Sequence, residues 1–403
     1  MNTEKKPVFA DFALGPELLK VVAQRRFVIP TPIQSKAIPP ALEGQDIIGI
    51  AQTGTGKTLA FGIPLTQRLL RAPGLALALV PTRELALQVA DALRPLLEPF
   101  RLYTATLIGG ESMRPQLQQL RGRPRLIVAT PGRLNDHLER RTVRLDDVRT
   151  LVLDEADRML DMGFRPQIEA VLAKLPRERQ TLLFSATMPP SITQIAARHM
   201  KLPTRVEIAP SGTAAEKVSQ ELFVVRRDAK NHLLRELLRE YTGTVLVFVR
   251  TRRGAARVAD HLRKNELPAA EIHSDRSLAQ RKQALAGFKS GRTRILVATD
   301  IAARGIDVTG IELVVNYDLP DEPENYVHRI GRTGRAGQTG HAISLATPDQ
   351  GQDIRRIEQI LRATIPQSEH PEVPAAPFDR APPRSASAPR RGGRGRGRFF
   401  RRR

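Results

Sequence analysis

Short apolar runs alternate with helical patterns along most of this chain. Continuous apolar runs of this length indicate strands that are buried on both faces of a parallel sheet. Helical spacing between the runs, as in Leu18, Leu19 and Val22 after Pro16, indicates βαβ units. The pattern therefore predicts an α/β fold. The runs are Ile47–Ile50, Leu75–Val80, Leu126–Ala129, Leu151–Leu153, Thr181–Phe184, Thr244–Val249, Ile295–Ala298, Leu313–Val315 and Ala342–Ala346.

These runs divide into two groups, which predict two domains. Residues 209–217 lack periodicity and contain Pro210 and Gly212, as a linker does. Two domains are also more usual than one sheet of about ten strands. We therefore expect a first domain over 1–208, a linker over 209–217 and a second domain over 218–362.

The last part of the chain differs in composition. It is rich in proline from Pro371 and ends in an Arg/Gly run that contains Phe399 and Phe400. This composition predicts a disordered basic tail over 363–403. Arginine with glycine and phenylalanine is typical of segments that bind single-stranded nucleic acid by charge and stacking. A tail that only increases solubility is the alternative.

Composition narrows the class of protein. The chain has 64 Lys and Arg against 42 Asp and Glu, a net charge of +22, which favours a nucleic-acid partner first and an anionic membrane surface second. It has no cysteine, which excludes disulfides, thiolate metal sites and thiol nucleophiles. No apolar run approaches the about 18 residues of a membrane span, and no signal-peptide pattern occurs. We expect a cytoplasmic protein.

A phosphate-binding motif follows the first apolar run. The segment Ala51-Gln-Thr-Gly-Thr-Gly-Lys-Thr58 lies between a predicted strand and a predicted helix. Its glycines allow backbone N–H groups to surround phosphate oxygens, Lys57 can reach the terminal phosphates and Thr58 can ligate Mg²⁺. A chance match is the alternative, and the strand–helix context weighs against it. The predicted nucleotide contacts are Thr53, Gly54, Thr55, Gly56, Lys57 and Thr58.

A pair of carboxylates ends another apolar run. Asp154 and Glu155 follow Leu151-Val-Leu, so they lie at the carboxyl edge of the sheet beside the phosphate loop. Asp154 would hold Mg²⁺, and Glu155 would orient and polarise the attacking water. A carboxylate-rich turn that caps a helix is the alternative. The combination with Lys57 favours hydrolysis of a nucleotide.

The second group of runs contains an arginine pair that could complete the site. Arg332 and Arg335 are three residues apart, which places them on the same side of a helical turn. Arginines from a second domain can stabilise charge on the γ-phosphate, and hydrolysis would then require domain closure. A basic surface patch that binds RNA is the alternative.

With these motifs in order, the chain resembles the DEAD-box ATP-dependent RNA helicases of superfamily 2 over about residues 9–362. Within that family it is most similar to the bacterial RhlE-like group. The resemblance implies two RecA-like domains, ATP and Mg²⁺ as cofactors, and RNA, single-stranded or in short duplexes, as the partner. Ribosomal or RNA-decay assemblies are further expected partners.

The resemblance also implies residue roles. Phe27 and Gln34 of the segment Phe27–Gln34 would recognise adenine, although Arg26 stands where the family usually has glycine. Asp307 would contact the ribose or the closed interface. The implied RNA contacts are Arg83, Gly110, Thr130, Arg133, Arg281, Thr299 and Arg304. The implied coupling residues are Ser185 and Thr187, with His328 and Arg329 linking the arginine pair to the first-domain carboxylates.

The function implied is RNA-stimulated ATP hydrolysis, coupled to domain closure and to local, sequence-independent unwinding of short RNA duplexes. An ATP-gated RNA clamp and an RNA chaperone driven by the basic tail are the alternatives. A DNA helicase is a weaker option, because the motif set argues against it.

Overall fold

The structure is a computed structural model that describes residues 7–52, 54–208, 218–303, 308, 310–334 and 339–377. Several predicted features therefore lie outside the described residues: the linker at 209–217, Thr53, Arg304, Asp307 and Arg335. Within the described ranges, none of the helices combines the length and the apolar character needed to cross a bilayer.

The first domain contains seven strands and nine α-helices in the described residues. The strands are β1 (Ile47–Ile50), β2 (Leu75–Leu79), β3 (Thr104–Leu107), β4 (Leu126–Ala129), β5 (Val148–Asp154), β6 (Gln180–Ser185) and β7 (Thr204–Glu207). The helices are α1 (Pro16–Gln24), α2 (Pro32–Leu42), α3 (Lys57–Arg71), α4 (Arg83–Leu97), α5 (Met113–Arg121), α6 (Pro131–Glu139), α7 (Ala156–Asp161), α8 (Arg165–Leu172) and α9 (Pro190–His199).

The second domain contains seven strands and six α-helices in the residues described. The strands are β8 (Val218–Val224), β9 (Val245–Phe248), β10 (Ala269–Ile272), β11 (Ile295–Ala298), β12 (Leu313–Asn316), β13 (Gly340–Ala346) and β14 (Gln367–Ser368). The helices are α10 (Lys230–Glu240), α11 (Arg252–Lys264), α12 (Leu278–Lys289), α13 (Asp300–Ala303), α14 (Pro323–Ile330) and α15 (Gly351–Leu361).

Each domain is built on one parallel sheet with helices on both faces. The strand orders are β3-β4-β2-β5-β6-β1-β7 and β10-β11-β9-β12-β13-β8-β14. Successive side chains of a strand point to opposite faces, so Leu77 and Leu79 join one core cluster while Ala76 and Ala78 join the other. Both sides of the sheet are thereby covered, which confirms the predicted two-domain α/β fold.

All nine predicted strands are present, with shifted ends in several cases, and five strands were not predicted: β3, β7, β8, β10 and β14. Four of these five lie at a sheet edge. An edge strand is partly exposed, so it lacks a continuous apolar run. Thr104–Leu107, for example, alternates half-buried and buried residues. Continuous apolar runs therefore identify nine of the ten interior strands and miss the edges. The interior strand β8 is also missed, because Ser219, Gln220 and Glu221 interrupt its apolar residues.

The prediction of a disordered tail from residue 363 is wrong for residues 363–377. In that segment β14 pairs in parallel with β8, and Ile365, Val373 and Ala376 are buried in the cores of the second domain. Isolated apolar residues among prolines and polar residues give no periodic signal, yet they pack well against a sheet edge. The rest of the predicted tail, residues 378–403, lies outside the described residues.

Candidate active site

The phosphate loop connects β1 to α3 and depends on two glycines. Gly54 has φ 87° and Gly56 has φ 93°, which is the left-handed region that favours glycine. A Cβ atom on Gly56 would lie 2.5 Å from Nε2 of Gln34. A larger residue at position 56 would therefore be strained and would displace the Gln34 amide.

Gln34 links the expected adenine-recognition segment to this loop. Its Nε2 donates to the Gly56 carbonyl at 3.0 Å, and its Oε1 accepts from the Thr31 backbone N–H at 2.9 Å. The side chain is buried, whereas Phe27 is 36% exposed. The family resemblance implied that Gln34 recognises adenine, which stays a prediction, but it did not indicate the bond of Gln34 to the loop.

Lys57 begins α3 and points into a buried environment. Its side chain is 6% exposed, and its Nζ has no hydrogen-bond partner among the described residues. An ammonium group in such a place is costly unless an anion neutralises it. Thr58, the next residue, is half-buried beside it. The end of this loop is therefore suited to a phosphate group.

The carboxylate pair lies at the carboxyl end of β5. Asp154 and Glu155 are each 3% exposed. Burial raises the pKa of Asp154 to about 6, although the charge of Lys57 opposes the shift. Glu155 precedes α7 with φ 54°, a left-handed conformation that costs a non-glycine residue about 1–3 kcal/mol. Such strain is typical of functional sites.

Arg158 is a site residue that the sequence analysis did not identify. Its Nη1 donates to Oε2 of Glu155 at 2.7 Å, and both side chains are 3% exposed. Burial alone would raise the pKa of Glu155, but Arg158, Lys57 and Arg332 lower it below its ordinary value. Glu155 is therefore held ionised. The three-residue spacing on α7 was the available signal.

Asp157 connects the carboxylate segment to the end of β6. Its Oδ2 accepts from the Thr187 hydroxyl at 2.9 Å and from the backbone N–H groups of Ala186 and Thr187 at 3.1 and 2.8 Å. Its own N–H donates to the Ser185 hydroxyl at 3.2 Å. The predicted coupling residues Ser185 and Thr187 thus contact the loop that carries Glu155.

Arg332 is a second-domain residue whose charge affects this site. The residue is 3% exposed and its Nε donates to the His328 carbonyl at 3.3 Å. Its charge contributes to lowering the pKa of Glu155. The pKa of Asp157 is lowered, against the effect of burial, first by the charge of Lys57 and then by that of His328. Groups from both domains therefore act on one cluster of carboxylates.

Arg329 differs from its predicted coupling role. Its guanidinium binds both carboxylate oxygens of Asp300 at 2.6 Å, Oδ1 of Asn316 at 3.2 Å and the Asp318 carbonyl at 2.6 Å. It also lies 5.0 Å from the centre of the Phe248 ring. All of these partners belong to the second domain, so the expectation that Arg329 reaches the first-domain carboxylates is wrong. Its buried guanidinium instead connects residues at the ends of β9, β11 and β12.

Replacement of Arg329 by methionine is expected to destabilise the second domain by about 3 kcal/mol, because Asp300 and a carbonyl lose a charged partner. Urea unfolding would measure the loss. Arg263→Met is the matched control, since Arg263 is partly exposed and 3.9 Å from Asp260, a pair worth less than about 1 kcal/mol. Equal unfolding midpoints for the two variants would contradict the conclusion that Arg329 stabilises the second domain by connecting its strand ends.

The predicted first-domain RNA contacts lie together at the ends of β2, β3 and β4. Gly110, with φ 70°, leaves the space that the Arg83 guanidinium fills. Arg133 donates to the Glu111 carbonyl at 3.0 Å, and Thr130 is buried at the start of α6. Because neighbouring parallel strands end at the same edge, these residues form one surface.

In the second domain, Thr299 follows β11 and is buried, while Arg281 does not face solvent. Arg281 Nη2 lies 2.8 Å from Oε2 of Glu84 in the first domain, with side chains 10% and 4% exposed. The two groups form a close ion pair, although they are not aligned as a hydrogen bond. The structure thus places Arg281 at a domain–domain contact, where sequence reasoning expected an RNA contact.

The chain matches two family models: the DEAD/DEAH box helicase domain over residues 31–195 and the helicase conserved C-terminal domain over residues 229–337. It is 43% identical over 371 residues to the DEAD-box ATP-dependent RNA helicase CshA of Bacillus subtilis, covering 91% of this chain and 75% of that protein. Among solved structures it is similar to S. cerevisiae Dbp5 bound to RNA and ADP BeF3, with a TM-score of 0.80, 29% identity and coverage of 90% and 96%. It is also similar to Mss116p bound to ssRNA and AMP-PNP, with a TM-score of 0.83, 29% identity and coverage of 92% and 82%.

Two RecA-like domains that meet at a phosphate loop define a nucleotide-hydrolysing enzyme of the helicase class. Within that class, the chain belongs to the DEAD-box family of ATP-dependent RNA helicases. It hydrolyses ATP and its partner is RNA. The more specific resemblance to RhlE-like helicases is not confirmed by these relatives and stays a prediction.

Proposed function

We propose that hydrolysis requires the closed arrangement of the two domains and that RNA favours this arrangement. The main support is electrostatic: the charge of Arg332, in the second domain, contributes to lowering the pKa of the buried Glu155 in the first domain. The Glu84–Arg281 pair, 2.8 Å apart, supports it with a second contact between the domains. Domain closure around ligands is a common way to complete a catalytic site.

We infer the following residue roles, of which those of Arg335 and Asp307, outside the described residues, rest on the family resemblance alone. Lys57 neutralises the terminal phosphates, as its buried and unpartnered Nζ suggests. Glu155, held ionised by its arginine neighbours, orients and polarises the attacking water. Arg332 and Arg335 stabilise the charge that develops on the γ-phosphate. Phe27, Gln34 and Asp307 complete the nucleoside end of the site.

Thr58 and Asp154 are the residues that would hold Mg²⁺. The fit rests on Asp154, whose ionised carboxylate is disfavoured by burial and would be stabilised by a nearby cation. When bound, Mg²⁺ would supply positive charge to the phosphate oxygens. The chain's own contribution is to position this carboxylate next to Lys57.

RNA binding is proposed at the strand-end surface formed by Arg83, Gly110, Thr130 and Arg133, continued by Thr299 and Arg304. Contacts to phosphates and 2′-hydroxyl groups would distinguish RNA from DNA without reading sequence. Closure would then connect RNA binding to hydrolysis through the Asp157–Thr187 contacts. Local unwinding of short duplexes is the expected result.

Domain closure can be measured directly because the chain contains no cysteine. Cysteines introduced at the exposed Lys174 and Lys289 would carry a donor and an acceptor dye in separate domains. Energy transfer is expected to change when both AMP-PNP and single-stranded RNA are present, and to change much less with either alone. The double variant with Glu84→Ala and Arg281→Ala should require more RNA for the same change. An energy-transfer efficiency that is the same without ligand, with AMP-PNP, with RNA and with both would contradict the proposal.

The raised pKa of Asp154 predicts a pH dependence. Above about pH 6 the carboxylate is ionised and can hold a cation, and as the pH falls through 6 it is protonated and this ability is lost. We expect kcat/KM for ATP to fall about tenfold per pH unit below that point. An ordinary carboxyl would give the fall about two units lower. Steady-state rates from pH 4.5 to 8 test this, with protein integrity checked by circular dichroism, and a flat profile down to pH 4.5 would contradict it.

We further propose that the protein works in the cytoplasm, where ATP and RNA are both available. Its targets would be structured RNAs in ribosomal or RNA-decay assemblies. An RNA chaperone driven by the tail is the competing function. It is favoured only by the basic composition of the end of the chain. Removing residues 378–403 distinguishes the two, because a helicase core would keep its RNA-stimulated hydrolysis.

A further inference from the structure

The two sheets correspond strand by strand. Their orders are the same when β1 to β7 are matched with β8 to β14. Local details correspond as well: Thr82 accepts from the Leu85 N–H after β2, and Thr251 accepts from the Gly254 N–H after β9. The loop between β8 and α10 therefore occupies, in the second domain, the place that the phosphate loop occupies in the first.

A lysine also occurs at the equivalent position. Lys230 is the first residue of α10, as Lys57 is of α3, and both are buried. Lys230 Nζ, however, donates to the Tyr317 and Leu345 carbonyls, each at 2.8 Å, and lies 3.9 Å from Oδ1 of Asp318. The Lys230 ammonium thus connects the ends of β12 and β13 and is not available to a γ-phosphate.

A cavity of about 1020 Å³ lies at this position. The loop after β8, the start of α10 and the ends of β9, β12 and β13 line it. The first-domain site uses the matching elements: the loop after β1, the start of α3 and the end of β5. The cavity is therefore the structural counterpart of the ATP site.

The charge of the cavity favours an anion. Its lining contains five cationic side chains and three carboxylates. Arg226 pairs with Asp228, and Arg250 lies 3.1 Å from Asp321. Arg227 and Arg257 are exposed, and neither forms a salt bridge within the described residues. Arginines without a carboxylate partner at a concave site suit phosphate oxygens.

We propose that this cavity binds a small phosphorylated anion, of the class of pyrophosphate or a nucleoside diphosphate, and does not hydrolyse it. The cavity volume lies near the upper end of the roughly 300–1,000 Å³ usual for small ligands. The described residues of the RNA surface proposed above lie at the ends of β2, β3, β4 and β11, and they do not line this cavity. Hydrolysis is not expected because Lys230 is engaged and Asp318 Oδ2 accepts from the Arg250 N–H at 3.0 Å.

The test uses the full chain with its ATP site filled by saturating AMP-PNP, and inorganic pyrophosphate as the titrated probe. Isothermal titration is expected to show one pyrophosphate site per chain. The double variant Arg227→Gln, Arg257→Gln should weaken that site at least tenfold, since two charged contacts are lost. The matched control is Arg253→Gln, Arg292→Gln, which removes two exposed arginines that do not line the cavity.

Wild-type affinity in the control and unchanged AMP-PNP affinity in both double variants would support the proposal. Two results would overturn it: equal weakening in both double variants, or no pyrophosphate binding beyond the ATP site. In the second case the affinity of the first double variant for single-stranded RNA is measured as well, and it is either unchanged or lowered. A lowered affinity would assign the cavity to the RNA surface. Thermal unfolding of each variant verifies that the fold is intact.

Discussion

Glu155→Gln is expected to slow RNA-stimulated ATP hydrolysis by roughly 10²–10⁴-fold while ATP still binds. The substitution keeps the size of the side chain but removes the charge that polarises water. Lys57 and the glycines of the phosphate loop are unchanged, so nucleotide affinity should change little. Hydrolysis rates at saturating ATP and RNA, with a fluorescent ATP analogue for binding, separate the two effects.

The buried Arg158 makes a stability control necessary. It lies 2.7 Å from Glu155 and loses its charged partner in this variant. Thermal unfolding will show how much stability is lost. Glu169→Gln is the matched control, because it removes the same charge from an Arg165–Glu169 pair whose side chains are 48% and 40% exposed. A Glu155→Gln rate within a factor of a few of Glu169→Gln would show that Glu155 is not the residue that activates water.

Arg332→Ala and Lys57→Ala are expected to fail at different steps. Lys57 has a buried Nζ without a hydrogen-bond partner in the described part of the chain, so its loss should weaken ATP binding itself. Arg332 reaches the site only through the second domain, so its loss should spare ATP binding and slow hydrolysis by on the order of 10³-fold. Binding by fluorescence and turnover at saturating ATP distinguish the two outcomes.

Arg292→Ala controls for the loss of one positive charge. Arg292 is an exposed arginine of the second domain, the domain that contains Arg332. It should leave both binding and turnover unchanged. Hydrolysis in Arg332→Ala at the wild-type rate would remove Arg332 from catalysis. Loss of ATP binding in the same variant would mean that Arg332 acts on the ground state and not on the transition state.

The interior strands of each sheet, apart from β8, could be predicted from the sequence because they are continuous apolar runs. Edge strands such as Thr104–Leu107 could not, since they are partly exposed. Residues 363–377 show the same limit, because Ile365 and Val373 are buried although their neighbours are polar or proline. Burial against a sheet edge depends on tertiary structure, which local periodicity does not contain.

The site residues divide in a similar way. Lys57, Asp154 and Glu155 were predicted because a local motif places each at a strand end. Arg281 was predicted only as an RNA contact, and Glu84 was not predicted as a site residue. The two are nearly 200 residues apart in sequence, and only the fold brings them to 2.8 Å. Arg26 is a simpler case: it has φ 59°, which explains why glycine suits that position.

The most direct test of RNA-dependent domain closure is the rate of ATP hydrolysis by the full chain without nucleic acid, with single-stranded RNA, and with single-stranded DNA of the same sequence. We predict a low rate without nucleic acid, strong stimulation by RNA and little stimulation by DNA, because RNA favours the closed state in which Arg332 acts near Glu155. A rate that does not respond to RNA would contradict this prediction, since the two domains would then not assemble the hydrolytic site in response to RNA.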